Sequence, residues 1–169
     1  VEPGIAGMFA LGANIQLPGA LLSGKMEAYI NTFGAKKEYQ VSQFLQQAAG
    51  IPATLTISAQ SPPLNPAYDS KDANSPILKP NLDPQATGEA YLTFAARADL
   101  KLLDAVTFQG GFRIAVSASS VEVQAGVGVE IKIPGSTTPL FQLSGSLAFA
   151  IDRDGPYGRA DLQAQAVSL

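Results

Sequence analysis

The sequence predicts a mainly β protein whose long antiparallel strands follow one another in meander order. Residues 106–116 and 121–133 alternate apolar with polar or small side chains, and successive side chains of a strand point to opposite faces. Short signals rich in Gly and Pro separate such runs. Helical spacing is found in one short segment. We therefore expect an extended sheet, an elongated sandwich or a barrel.

The chain begins with a predicted β-hairpin. Residues 5–17 alternate apolar and small or polar side chains, and residues 22–31 do the same after Pro18 and Gly19. A Pro-Gly pair between two alternating runs is typical of a hairpin turn. The two runs therefore predict paired strands.

One segment has the spacing of a helix. Four apolar residues recur at i, i+3, i+4 and i+7: Val41, Phe44, Leu45 and Ala48. Gly50 stands where a helix C-terminus belongs, and Pro52 prevents its continuation. We expect one short helix over residues 38–49 and a short strand over residues 54–59.

A Pro-rich loop is predicted over residues 61–87. Six of the 12 prolines lie here: Pro62, Pro63, Pro66, Pro76, Pro80 and Pro84. Proline removes a backbone donor, so neither a helix nor a ladder strand is expected. A loop of this length is either a flexible connector or a functional or packed segment. Because loops often carry function, four residues are our candidate interaction surface: Asn65, Tyr68, Asp69 and Asp72.

The second half is predicted to be nearly all strand. Alternating runs cover residues 88–103, 106–118, 120–133 and 141–151, and a last strand runs to the C-terminus. Runs of about 11 to 15 residues correspond to about 35–50 Å of extended chain. Strands in globular proteins are typically about 5 to 6 residues long. The predicted sheet is therefore unusually extended.

Length and composition predict one domain over residues 1–169 with little charge. Only 15% of residues are charged, against about 25% in a typical globular protein. We therefore expect both faces of some strands to be covered, by a second sheet, a neighbouring chain or lipid. The chain starts at Val1 without the pattern of a signal peptide, so we expect a processed chain or a piece of a larger protein.

Charge and residue types argue against several functions. The net charge is −3 with no basic cluster, which disfavours nucleic acid as a partner. The chain contains no His, Cys or Trp, so His-dependent nucleophiles and common zinc sites are not available. No phosphate-binding or dinucleotide-binding motif is present. We expect neither a catalytic residue nor a cofactor, and predict that the protein is not an enzyme.

Acidic residues supply the remaining candidates for chemistry. Asp152 and Asp154 are weak candidates for a metal site, but Asp154-Gly155 suits a hairpin turn, and the further ligands of a calcium loop do not follow. Glu122 and Glu130 lie on one predicted strand, about 26 Å apart. This separation is too large for a catalytic carboxylate pair.

Two segments of the chain are similar to a known class of protein: FQLSGSLAFAIDRDG (residues 141–155) and SQFLQQAAGIP (residues 42–52). In these segments the chain resembles the Gly/Ser/Ala-rich β modules of very large, adhesin-like bacterial surface proteins. The resemblance covers the second half of the chain and the helix. It implies a structural or adhesive role in an assembly and an extracellular or cell-surface location, and it implies no catalytic residue.

Three functions stay open at this point. The first is a non-enzymatic structural module that associates with copies of itself or with neighbouring domains, joined by edge strands that accept another strand. The second is a lipid-binding or hydrophobic-ligand-binding protein, in which aliphatic stripes line a groove. The third is a fragment of an outer-membrane barrel, whose strands alternate apolar and polar side chains. The aromatic residues of the predicted strands do not form the two interfacial belts that are typical of outer-membrane barrels.

Overall fold

The computed structural model describes residues 3–50, 52–69, 72, 75–103, 105–133, 136 and 138–166. These residues form β-strands and one helix, in the following order: β1 (Ala6–Leu17), β2 (Ala20–Asn31), β3 (Lys37–Gln40), α1 (Gln43–Ala49), β4 (Thr54–Ile57), β5 (Tyr91–Leu102), β6 (Val106–Ser117), β7 (Val121–Lys132), β8 (Pro139–Asp152) and β9 (Gly155–Ala166).

The molecule is dominated by one antiparallel sheet of seven strands in the order β1-β2-β5-β6-β7-β8-β9. The predicted mainly β class, the long strands and the meander order are confirmed. Of the three predicted architectures, the extended sheet is the correct one. The sheet does not close into a barrel, because β1 and β9 lie at its two edges.

Tight turns join most neighbouring strands of the sheet. Gly19 has φ of 74° between β1 and β2, and Gly155 has φ of 117° between β8 and β9. Glycine adopts positive φ without the steric cost that a Cβ atom brings. Both hairpins were predicted from these turn residues, and both are confirmed.

The predicted helix over residues 38–49 is wrong at its start, because α1 begins at Gln43. Residues 37–40 instead form β3, which pairs antiparallel with β4. The side chain of Gln40 also donates to the Thr54 hydroxyl across this ladder, at 3.2 Å. Ladder pairing with β4 therefore replaces the first turn of the predicted helix. The end of α1 is as predicted, since Gly50 closes it in the left-handed conformation.

Residues 32–90 leave the sheet between β2 and β5 and return to pack on it. They contain β3, α1, β4 and the Pro-rich loop, whose described residues form only isolated bridges such as Leu64 to Leu78. Residues from this excursion and from the sheet make one buried cluster: Tyr29, Ile57, Ile77, Leu78, Tyr91 and Ala95. The described part of the Pro-rich loop is thus packed against the chain's own sheet.

Candidate interaction surface

The register of the seven strands divides the sheet into an apolar face and a polar face. We define the apolar face by residues that alternate onto one side: the odd-numbered residues 7–17 of β1, 121–131 of β7 and 141–151 of β8, and the even-numbered residues 20–30 of β2, 92–102 of β5, 106–116 of β6 and 156–166 of β9. Every one of these residues is apolar, glycine or proline. The face therefore has no side chain that could form a hydrogen bond or an ion pair.

All charged residues of the seven strands lie on the opposite, polar face: Lys25, Glu27, Arg97, Asp99, Lys101, Arg113, Glu122, Glu130, Lys132, Asp152, Arg159 and Asp161. The segregation follows from parity, since one face of each strand takes every second residue. The low overall charge of the chain therefore arises because one face of the sheet has no charged residue, and not because both faces have few.

The apolar face is solvent-exposed in the isolated chain. None of its residues is buried, and Leu11, Leu147 and Leu162 are 52%, 42% and 75% exposed. No described segment of the chain covers it. Soluble monomers rarely expose an apolar patch of more than about 300–600 Å², so this face is the principal candidate for an interaction surface.

The polar face, in contrast, contains all the buried residues of the seven strands. They are Glu27, Tyr29, Asn31, Tyr91, Thr93, Ala95, Arg113, Ala115 and Ala150. The excursion lies over this side and supplies the apolar contacts. The chain therefore covers part of the polar face with its own excursion and leaves the apolar face uncovered. The expectation that both faces are covered stays a prediction.

Arg113 fixes the beginning of the Pro-rich loop to β6. Its side chain is 4% exposed. The guanidinium donates to the Pro62 carbonyl at 2.9 Å, to the Ser61 hydroxyl at 2.7 Å and to the Glu122 carboxylate at 2.8 Å. A guanidinium has a planar set of donors, and these three bonds satisfy it in three directions.

Glu27 fixes the later part of the same loop to β2. Its carboxylate accepts the backbone N–H groups of Ile77 at 3.1 Å and Leu78 at 3.0 Å. Lys25 contacts this carboxylate at 3.3 Å and donates to the Ser75 carbonyl at 2.6 Å. The two loop amides would otherwise be buried without partners, which is costly.

A third anchor holds the end of β4 against the sheet. Asn31 donates to the Ser58 carbonyl at 2.8 Å, and the Tyr91 hydroxyl donates to the same carbonyl at 3.0 Å. Burial raises the pKa of Tyr91. Burial also raises the pKa of Tyr29 to about 12, and the carboxylate of Glu27 adds to this rise. These groups hold the excursion in place and have no exposed reactive atom.

The four residues predicted as an interaction surface have different environments. Asn65 is 9% exposed and organises the loop, because its amide donates to the Pro76 carbonyl at 2.9 Å and its oxygen accepts the N–H of Ala67 at 3.1 Å. Tyr68 is half-buried. Asp69 and Asp72 are exposed and are joined by a backbone hydrogen bond of 3.2 Å. A contact role for this set stays a prediction.

Tyr68 borders a shallow cleft of about 540 Å³ on the polar face. The guanidinium of Arg97 lies 4.8 Å from the centre of its ring. Burial raises the pKa of Tyr68, and Asp99 adds to the rise. The floor of the cleft is bare backbone at Gly126 and Gly128. The lining of this cleft includes the charged side chains of Arg97 and Asp99 beside polar and small residues.

The acidic candidates occupy ordinary structural positions. The Asp152 carboxylate accepts the Asp154 N–H at 2.8 Å, as in an Asx turn at the β8–β9 hairpin. Glu122 pairs with Arg113, and Glu130 accepts a bond from Gln142 at 3.3 Å. Among the described residues, no group of three or more acidic side chains could hold a metal ion.

The two edge strands differ in their protection. β9 carries Arg159 and Asp161, which form an exposed ion pair at 2.7 Å. β1 has no charged residue and no proline over its 12 residues. Natural sheets usually protect an edge with charge, proline or a bulge. Strand β1 is therefore the less protected of the two edges and could accept a further strand.

The sequence did not predict the hydrogen bonds of Arg113 and Glu27 that hold the loop on the polar face. A usable signal was present, since Ile77 and Leu78 form an apolar pair inside a loop otherwise rich in Pro, Asn and Asp. Arg113 is one of four charged residues between residues 105 and 151. A charge at a strand position needs a partner when a loop covers that position, and no spacing rule identifies the partner in advance.

No protein-family model, curated protein or solved structure matches this chain. Within the described part of the chain, no helix is long and apolar enough to span a membrane.

Proposed function

We propose that this chain is a non-enzymatic assembly module whose apolar face is covered by protein when it functions. The proposal is carried by one observation, the uncovered apolar face with no polar side chain across seven strands. Burying apolar area is the main favourable term in protein association. Covering such a face with a matching apolar layer lowers the free energy. The face itself has no side chain that could carry out a reaction.

The environment of the remaining residues supports the same proposal. The buried polar groups are used in anchoring the excursion, as for Arg113 and Glu27. The Pro-rich loop occupies the polar face, so it does not compete for the apolar one. The uncharged edge of strand β1 is a second, weaker candidate for a joining surface.

A pair of neighbouring residues on β8 provides the test. Leu147 lies on the apolar face and Ser146 on the polar face, and both are exposed. We expect multi-angle light scattering and native mass spectrometry to find an assembly larger than one 17.5 kDa chain. Leu147→Glu is expected to shift it towards the monomer, because a charge would be buried without a partner.

Ser146→Glu introduces the same charge on the opposite side of the same strand, so it is expected to leave the assembly unchanged. Far-UV circular dichroism checks that both variants retain their strands. A wild-type chain that stays monomeric at all concentrations, or two variants with equal behaviour, would contradict the proposal.

Hydrophobic-ligand or lipid binding is the second candidate, and the length of the apolar face favours it. A strand of 12 residues, such as β6, is about 40 Å long, and the hydrocarbon core of a bilayer is about 30 Å thick. Native mass spectrometry of the purified chain before and after organic extraction tests this candidate. A monomer that loses bound mass on extraction would support it over the assembly module.

A further inference from the structure

We infer that the apolar face is covered by the same face of a second copy of this chain, giving a two-layer sandwich with two-fold symmetry. This inference rests on the proposed assembly function and adds the identity of the partner. An isologous pair uses one self-complementary surface twice. Three properties of the apolar face support such a pair: its area, its pattern of ridge and trough, and its lack of charge.

The area of the face meets the requirement of a stable dimer. Seven strands spaced by about 4.8 Å and about 40 Å long give a face of about 1,200 Å². Two copies would bury about 2,400 Å² in total, against about 1,600 Å² for a standard interface and about 2,000–5,000 Å² for obligate homodimers. Obligate interfaces are also the more apolar class, as this face is.

The apolar face has a trough and a ridge, and the side chains of a second layer can pack against both. One row of cross-strand partners consists mainly of small residues and forms a trough across the middle of the sheet: Ala13, Gly24, Ala98, Gly110, Val127, Gly145 and Leu162. The next row along the strands forms a ridge of larger side chains: Ile15, Leu22, Leu100, Phe108, Val129, Leu143 and Ala164.

Two-fold symmetry can bring trough and ridge together in both directions. The rows are two residues apart, which is about 7 Å along a strand. A two-fold axis that crosses the strands midway between them places the ridge of each copy in the trough of the other. Stacked sheets pack about 10 Å apart with interdigitated side chains, and the trough allows this approach.

The lack of charge on the apolar face removes the usual obstacle to pairing like with like. A charge on this face would be buried in the pair and would need an opposite charge on the other copy, whereas this face has no charge. The excursion lies on the other side of each sheet and would form the outer layers of the sandwich. The pair would therefore expose its polar faces and bury its apolar ones.

Cross-linking of single cysteine variants tests the inference, because the natural chain has no Cys. Val127→Cys places a thiol in the trough, next to the central strand β6. A short bis-maleimide is expected to join two copies of this variant into a covalent dimer at micromolar concentration. Ala125→Cys, on the same face of β7, is a second variant in case the first folds poorly.

Two control thiols report other modes of association. Ser146→Cys lies on the polar face, and Asn14→Cys lies on the edge strand β1. Neither is expected to cross-link efficiently. Adding Leu147→Glu to the Val127→Cys variant is expected to reduce the dimer yield by about ten-fold or more, because the pair would bury unpaired charge.

The outcomes separate this inference from the proposed function. An assembly that Leu147→Glu disrupts but that cross-links only at Asn14→Cys would overturn the face-to-face pair and leave the assembly function standing. A monomer that floats with phosphatidylcholine vesicles, with its Val127→Cys thiol protected, would overturn both in favour of lipid. A free monomer with reactive thiols at every position would also overturn both.

Discussion

At the residue scale, a few buried polar side chains decide which side of the sheet the excursion covers. Arg113 and Glu27 each bind backbone groups of the Pro-rich loop, and Asn31 binds the end of β4. No buried side-chain nitrogen or oxygen of the described residues lacks a hydrogen-bond partner. Removing one member of such a network leaves its partners unsatisfied, which costs more than the bond itself contributes.

Arg113→Ala is predicted to lower the free energy of unfolding by about 2–4 kcal/mol. The change removes donors to Pro62, Ser61 and Glu122 and leaves a space beneath the loop. Urea unfolding followed by circular dichroism measures the loss. Arg113→Lys is expected to recover only part of it, because an ammonium lacks the planar fork.

Arg159→Ala is the control for the Arg113 prediction. Arg159 also pairs with a carboxylate, but its side chain is 81% exposed, and exposed pairs contribute less than about 1 kcal/mol. If the Arg159 and Arg113 variants lost equal stability, the loop-anchoring role of Arg113 would be wrong.

Tyr29 is predicted to make stability fall at high pH. Its pKa is raised from 10.0 to about 12 in the folded chain, so the folded state keeps a proton that the unfolded chain loses. The contribution is complete below pH 10 and is lost as pH rises towards 12, at a limit of about 1.4 kcal/mol per pH unit.

Unfolding curves of wild type and Tyr29→Phe between pH 9 and pH 12 measure this contribution. Phenylalanine cannot ionise, so the variant is expected to lose stability less steeply over this range. Comparing the two chains at one protein concentration cancels the titration of Lys and other groups. Parallel curves for the two proteins would show that ionisation of Tyr29 does not contribute.

At the element scale, edge strand β1 is the strand most open to pairing with a further strand. It has an unpaired backbone edge and no charge, whereas β9 carries an ion pair. A lysine on an edge strand disfavours the approach of another strand, because its charge would have to be desolvated. Substitution on the polar side of β1 leaves the apolar face unaltered.

Asn14→Lys is predicted to slow aggregation through β1 while the fold is retained. Static light scattering during incubation at raised temperature measures the effect. Ser144→Lys places the same charge on the polar face of β8, an interior strand, and is the matched control. If both variants slowed aggregation equally, net charge rather than edge protection would be responsible.

At the scale of the whole molecule, the sheet has the opposite of the usual arrangement in water. A one-sided sheet normally packs its apolar face on the core and leaves its polar face to solvent. Here the excursion covers the part of the polar face formed by β2, β5 and β6, and the apolar face is open. The apolar residues of the sheet therefore contribute little hydrophobic burial in the isolated chain, and we propose that a second apolar layer supplies it.

Under the proposed two-copy sandwich, the melting temperature is predicted to rise with protein concentration, because the second apolar layer is then another copy of the chain. Mass action adds to the stability of a dimer as concentration rises, which corresponds to about 1–3 °C for each ten-fold increase in a chain of this size. Scanning calorimetry over a hundred-fold range of concentration measures it. Leu147→Glu is expected to remove the dependence, and a constant wild-type melting temperature would contradict the two-copy sandwich.

Much of the fold could be predicted from local patterns. Alternation and turn residues predicted the strands of the large sheet, and Gly50 predicted the end of α1. Strand β3 was missed, because residues 37–40 depend on pairing with β4, which lies 14 or more residues away. The candidate surface was less predictable, since alternation shows that a strand has two faces but not which one will be covered.

By itself the sequence determined the strand lengths, the order of the hairpins and the separation of charge onto one face. These follow from period-2 alternation and turn chemistry, which act between near neighbours. Only the tertiary structure decided that the Pro-rich loop lies on the polar face, because Arg113 and Glu27 bind loop atoms about 50 residues away in sequence. Such contacts depend on where the chain returns to the sheet, and this long-range geometry leaves the apolar face free for a partner.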